Sequence, residues 1–226
     1  MTFEIKYIGH SAFCFKTDEG SILTDPFISG NPSAKFDIEQ EKIIDIFLTH
    51  GHGDHLGDAI PISRKYRTPV TAIFELANYC EEKGAVVQGI NMGGNIKYNW
   101  GTARFLPAFH SSSTPDGKYA GMPASILFDI YGTKIYHAGD TCLNSEMKTA
   151  GEIYKPDIAL LPVGSFYTMD TKDALTAAKW LNVKRVIPMH YNTFPAINVN
   201  IEEFKTELEK SNIECVILKP GESLSI

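Results

Sequence analysis

The chain reads as an α+β protein, with two packed sheets or one mixed sheet carrying helices on its outer side. Three observations predict this. Short β-branched segments dominate each half, helices close each half in a β-then-α rhythm, and no Gly-x-Gly-x-x-Gly follows a strand to open a helix. The last point sets aside a regular dinucleotide-binding array. A content of 43% hydrophobic and 21% charged residues in 226 is that of a folded globular chain and excludes collagen, coiled coil and disorder. No linker rich in Pro, Gly or Ser and no internal repeat interrupts it, so residues 1–226 are expected to form a single domain.

The elements follow in order. Residues 3–25 alternate apolar and polar positions around Asp18-Glu19-Gly20, the pattern of an antiparallel meander. Ile43 to Leu48 is a buried strand that runs into a loop of histidines and glycines. A helix is expected from about Leu56 to Tyr66, with Pro61 in an early turn. Beyond it come a strand over 69–73, a helix over 75–83, and strands near 86–87, 96–98 and 103–108. Residues 125–131 and 134–137 flank Gly132-Thr133 as a hairpin. Strands at 158–161 and 185–188 each precede a helix: Asp170 caps the first, and Asn200 with Glu203 forms a capping-box-like start for the second. Asn91 to Asn95 is a turn and not a phosphate cradle, and the Walker pattern is absent.

A net charge of −6 disfavours non-specific attraction to a phosphate backbone, which argues against a polymeric nucleic-acid partner. No apolar run approaches the ~18–20 residues that cross a bilayer, and no secretory leader is visible, so a cytoplasmic protein without a membrane partner is expected. Cys14, Cys80, Cys142 and Cys215 lie far apart with no Cys-x-x-Cys pair, the pattern of reduced, mostly buried thiols.

The segment His50-Gly51-His52-Gly53-Asp54-His55 places three imidazoles and a carboxylate in six positions. Chance placement gives such a run odds of about 3 or 4 in ten thousand. Imidazole nitrogen and carboxylate oxygen suit zinc and related divalent ions, and histidines at i and i+2 project to one side of an extended segment. Asp54 and His55 lie past Gly53, where the backbone can bend toward a second point, so two adjacent metal sites are expected. Six positions cannot complete two coordination shells. Further ligands are expected at strand exits, and His110, Asp140 and His190 each follow an apolar strand-like run.

With these residues on view, the chain resembles the metallo-β-lactamase superfamily. Within it, the resemblance is to small uncharacterised metal-dependent hydrolases related to L-ascorbate-6-phosphate lactonase. It spans nearly the whole chain and rests on Gly9-His10-Ser11, Thr24-Asp25-Pro26, the segment Thr49 to His55, His110-Ser111-Ser112, Gly139-Asp140-Thr141 and Met189-His190-Tyr191. The resemblance implies a four-layer αββα sandwich. It implies that His50, His52 and His110 hold one ion, that Asp54, His55 and His190 hold a second, and that Asp140 bridges them. Asp25 would orient a ligand imidazole, with an ordinary turn role ahead of Pro26 as the alternative.

Two such ions lower the pKa of a shared water toward ~7 and polarise a carbonyl or phosphoryl oxygen, so hydrolysis by a metal-activated hydroxide is the expected chemistry. Zinc leads as the metal; manganese, iron and nickel also suit these ligands. Asp54 is expected to orient the attacking group and His10 to supply a proton, against a structural hydrogen-bonding role for His10. His137, inside a strand, is expected to be structural, and Cys142 to pack behind the site. The polar segments 29–32 and 111–117 are expected rims, and Tyr167 to Met169 with Tyr191-Asn192 are candidate substrate contacts.

A small ester or lactone is the favoured substrate. The runner-up is cleavage of a small phosphodiester or RNA, against which the acidic balance and the absence of a basic arm weigh. A flavin-linked diiron protein would carry a carboxylate in place of His52 and a further domain. A metal-stabilised binding module is disfavoured because every ligand position is filled. Oligomeric state leaves no mark in the sequence.

Overall fold

The alternating segment at the start of the chain folds as an antiparallel meander, β1 (Glu4–Gly9), β2 (Ala12–Lys16) and β3 (Ser21–Thr24), in the computed structural model, which describes residues 1–226. It is followed by β4 (Ile43–Phe47), α1 (Gly53–Leu56), α2 (Ala59–Tyr66), β5 (Pro69–Ile73), α3 (Phe74–Glu82) and β6 (Val86–Ile90). Then come β7 (Asn95–Tyr98), β8 (Gly101–Pro107), β9 (Ala124–Ile130), β10 (Thr133–His137) and α4 (Glu146–Ile153). The chain ends with β11 (Ile158–Pro162), α5 (Thr171–Leu181), β12 (Arg185–Met189), α6 (Ile201–Glu209), β13 (Glu214–Cys215) and β14 (Ser223–Ser225).

These elements divide into two units. The first comprises residues 1–92, 111–123 and 218–226, and the second residues 93–110 and 124–217. In the first, seven strands run in the order β14-β1-β2-β3-β4-β5-β6, with β3 through β6 parallel. One face of its sheet packs Ile8, Ala12, Cys14, Leu23, Ile46 and Val70 against Leu56 of α1, Ile62 of α2 and Leu76 of α3. Intervening residues such as Phe13, Phe15 and Ile22 are also fully buried, so these strands are apolar on both sides.

The second unit orders its strands β13-β12-β11-β10-β9-β8-β7. Strands β7 to β10 are antiparallel and β10 to β13 parallel. The β9–β10 loop is Tyr131-Gly132, one residue earlier than expected. Both residues have positive φ, 51° and 91°, as a two-residue turn matching strand twist requires. The capping expectations hold: Asp170 accepts from the backbone N–H of Lys172 and Asp173, and Asn200 from that of Glu203. Helix α5 presents Ala174, Ala177, Ala178 and Leu181 as its buried stripe.

Other features also depart from the sequence reading. The helix expected over 56–66 is broken at Gly57, whose φ of 43° sits where a Cβ would lie 2.5 Å from the Pro26 carbonyl oxygen. Asp58 then turns its carboxylate to the backbone N–H groups of Ile28 and Ser29, and α2 starts afresh. Helix α4 and the short strands β13 and β14 carry too little periodic signal to be read in advance. No helix is long and apolar enough to cross a membrane.

Strand directions concentrate the chemistry. In the first unit β1, β3 and β4 point the same way, so His10, Asp25 and the segment Thr49 to His55 leave one edge of one sheet. In the second, β8, β10, β11 and β12 are codirectional, and His110, Asp140 and His190 leave one edge of the other.

Candidate metal centre

In the first unit, the chain leaves β4 through Thr49 and His50 and enters α1 with His52 as N-cap in extended conformation. The loop is held from outside. Gly51 donates its N–H to Ser112 Oγ at 3.2 Å, and a Cβ on Gly51 would fall 2.5 Å from the Ala120 methyl and 3.2 Å from the Ser113 carbonyl oxygen. Glycine is therefore required there by close approach, and Ser112 and Ser113 of the segment 111–117, expected as a rim, pack directly on the histidine loop together with Ala120.

Within that loop the ligand-type atoms converge. His50 Nε2 lies 3.0 Å from His52 Nδ1 with the rings nearly perpendicular, close to the ~3.3 Å between two nitrogens on one tetrahedral ion. His10 Nε2 lies 3.1 Å from Asp54 Oδ2, and His10, Asp54 and His55 each offer a ligand atom within 4.8 Å of the others.

Asp25, fully buried, explains the orientation of the imidazoles. Its Oδ1 accepts from the Thr49 backbone N–H at 2.8 Å; its Oδ2 accepts from Thr49 Oγ1 at 2.6 Å and from His55 Nδ1 at 2.7 Å. A carboxylate receiving three donors is an acceptor only, so His55 carries its proton on Nδ1 and turns a lone pair outward at Nε2. Thr49 has spent its hydroxyl proton on Asp25 and can only accept at its 3.0 Å contact with His50 Nδ1, which leaves the His50 lone pair on Nε2. Ser111 Oγ stands 3.4 Å from His52 Nε2, where it can accept the ring proton and leave the lone pair on Nδ1. With that tautomer of His52, the nitrogens that face each other carry lone pairs. Three neutral imidazoles so oriented fit a divalent metal.

In the second unit, Asp140 Oδ2 lies 3.1 Å from His190 Nε2 and 3.6 Å from His110 Nε2. Asp140 and His190 are buried, and His190 holds a φ of 54°, a backbone conformation uncommon for histidine. Gly164 makes room for it, since a Cβ there would meet the His190 carbonyl oxygen at 2.2 Å. Every ligand-type residue read from the sequence therefore lies in one of two clusters, His10, His50, His52, Asp54 and His55 in the first unit and His110, Asp140 and His190 in the second.

The remaining expectations divide. His137 is buried and its Nδ1 accepts the Gly139 N–H at 3.1 Å, the structural part foreseen for it. Asp25 is no mere turn residue. Cys142, expected to be packed away, is exposed. Burial pushes the Tyr191 phenol up to about 12, so it keeps its proton at neutral pH. Thr49 and Ser111 sat in the motifs with no part of their own; their hydroxyls beside His50 and His110 were the available signal.

Comparison with known proteins decides the family. Residues 4–190 match the family model described as "Beta-lactamase superfamily domain". A UPF0173 metal-dependent hydrolase of Thermus thermophilus is 43% identical over 223 residues, 99% of each chain. The chain belongs to this family of metal-dependent hydrolases. A Bacillus cereus member is 42% identical over 228 residues, covering 99% of this chain and 100% of the relative. Among solved structures, Igni18, described as a novel metallo hydrolase from Ignicoccus hospitalis, superimposes with a TM-score of 0.91 at 37% identity over 100% of this chain and 99% of that one. The fold class is accordingly the αββα metallo-β-lactamase fold, and the enzyme is a metal-dependent hydrolase with a candidate His/Asp metal site.

Proposed function

We propose that residues 1–226 act as one domain, a cytoplasmic hydrolase of small esters or lactones with a dinuclear centre. His50, His52 and His110 would hold the first ion and Asp54, His55 and His190 the second, with Asp140 serving both; zinc is the metal that best suits five imidazoles with two carboxylates. The observation that carries this reading is the placement of Asp25. One buried carboxylate sets the tautomer of His55 directly and of His50 through Thr49, so the imidazoles assigned to both ions are prepared together.

When bound, the ions supply a water of lowered pKa and polarise the scissile carbonyl. Asp54, a third exposed at its side chain, orients that water with its carboxylate. His10, buried with Nε2 against Asp54 Oδ2, holds the carboxylate in place and would relay to the departing alkoxide the proton that the attacking water gives up to Asp54.

The test is elemental analysis of protein purified without affinity-tag metal, followed by a screen of lactone, thioester and bis-nitrophenyl phosphate substrates. Two equivalents of metal with lactone or ester turnover are expected. Turnover of the phosphate diester alone would replace the substrate class, and a single equivalent would remove the shared carboxylate. Asp54→Ala is expected to lose activity beyond what its metal content explains.

A further inference from the structure

The second unit leaves five large apolar side chains exposed: Phe109, Ile153, Phe166, Tyr167 and Phe194. Four of the five lie on the loops that leave β8, β11 and β12 at the edge carrying His110, Asp140 and His190. Phe166 is 74% and Tyr167 58% exposed, a solvation cost that a tight turn of polar residues would avoid.

The turn that presents them is rigid. Ser165 donates its N–H to the Met169 carbonyl at 3.0 Å and accepts from the Thr168 N–H at 2.6 Å, while the Met169 side chain is buried as an anchor. The two rings meet edge to face with centroids 4.8 Å apart. Both aromatic loops are tied to the loop of Asp140 through Thr141. Met169 N–H donates to the Thr141 carbonyl at 3.2 Å, and Phe109 N–H donates to Thr141 Oγ1 at 3.0 Å. The Phe109 carbonyl accepts from the Cys142 N–H at 3.1 Å. Residues 107–109, 163–169 and 191–195 contain no Lys or Arg, so these loops offer a substrate no countercharge.

We infer that Phe109, Phe166 and Tyr167 form an apolar subsite that selects uncharged esters or lactones bearing an aryl or bulky alkyl group next to the scissile carbonyl. This rests on the ester or lactone reading of the metal centre, which it narrows. The backbone that carries the rings is hydrogen-bonded before any ligand arrives, so contact with an apolar group is gained without the entropic cost of ordering the loops.

Calorimetric titration of the metal-loaded full chain with the carboxylates acetate, hexanoate and phenylacetate, the product type of such a hydrolysis, tests the subsite without requiring turnover. The dissociation constant is expected to fall by about tenfold from acetate to phenylacetate. The double variant Phe166→Ser, Tyr167→Ser is expected to lose that preference, its metal content and melting temperature reporting that it is folded. Equal affinity for all three carboxylates, no binding of phenylacetate, or an undiminished preference in the variant overturns the inference. So does a native dimer that the double variant converts to monomer in sedimentation with the carboxylate series unaltered, which would make the face a contact between copies. A preserved series with no ester or lactone turnover leaves the subsite standing and removes the hydrolytic reading beneath it.

Discussion

Asp25 concentrates the residue-scale argument. Its carboxylate is reached by Thr49 and His55 from 24 and 30 positions away and sets which nitrogen of two histidines presents a lone pair to a metal. Asp25→Asn keeps the shape and replaces an acceptor-only group by one that presents N–H donors, so His55 and His50 both lose their imposed tautomer. Metal affinity is expected to fall by about 10- to 100-fold, read by competition with a chromogenic chelator. Thr49→Val removes the link to His50 and one of the three hydrogen bonds that Asp25 accepts but leaves the Asp25–His55 bond in place, and the same titration should show one equivalent weakened far more than the other. If both equivalents weaken alike in Thr49→Val, the relay assigned to its hydroxyl is wrong. The residue types of the ligands were legible in the sequence because imidazole and carboxylate chemistry is local; the partners that orient them were not, because those contacts join distant segments.

Secondary-structure elements show the same division between local and distant causes. Caps at Asp170 and Asn200 and the strand periods could be read directly, since both depend on neighbours a few residues away. The break at Gly57 could not, because its cause is the Pro26 carbonyl some thirty residues earlier. Gly151 in α4 offers a test of such a constraint. Local propensity says that alanine should improve the helix by roughly 1 kcal/mol. The close approach of α5 says otherwise, since a Cβ on Gly151 would lie 2.2 Å from the Trp180 carbonyl oxygen. Packing should win, and Gly151→Ala is expected to lower stability by about 1–3 kcal/mol in urea unfolding. A gain in stability would mean that the two helices separate readily.

Across the whole molecule, burial divides the thiols. Cys14, Cys80 and Cys215 are each pushed up to about 12, chiefly by desolvation, while Cys142 is exposed. Iodoacetamide at neutral pH should therefore modify one cysteine in the native protein and four after denaturation, as counted by mass spectrometry. The same shifts set a pH limit. The three folded thiols titrate near 12 and the unfolded ones near 9.0, so the native state holds the extra protons between these values. Their contribution to stability is complete below about pH 9 and drains as pH rises toward about 12. A lower urea midpoint at pH 10.5 than at pH 8 is the expected result.

The two units also share a plan that no repeat in the sequence betrays. Each places three antiparallel strands before three parallel ones, β1 to β6 in one and β8 to β13 in the other, and each delivers its metal-type ligands from one sheet edge. By itself the sequence determined the strand-and-helix order, the caps and the set of imidazoles and carboxylates, since each follows from residue type and short-range spacing. Only the tertiary structure decided that Thr49 and Ser111 hold those imidazoles, that Cys142 is the open thiol, and that Phe109, Phe166 and Tyr167 stand bare beside the ligand-bearing loops. Hydrogen-bond partners and solvent exposure are properties of segments brought together from across the chain, and spacing along it does not encode them.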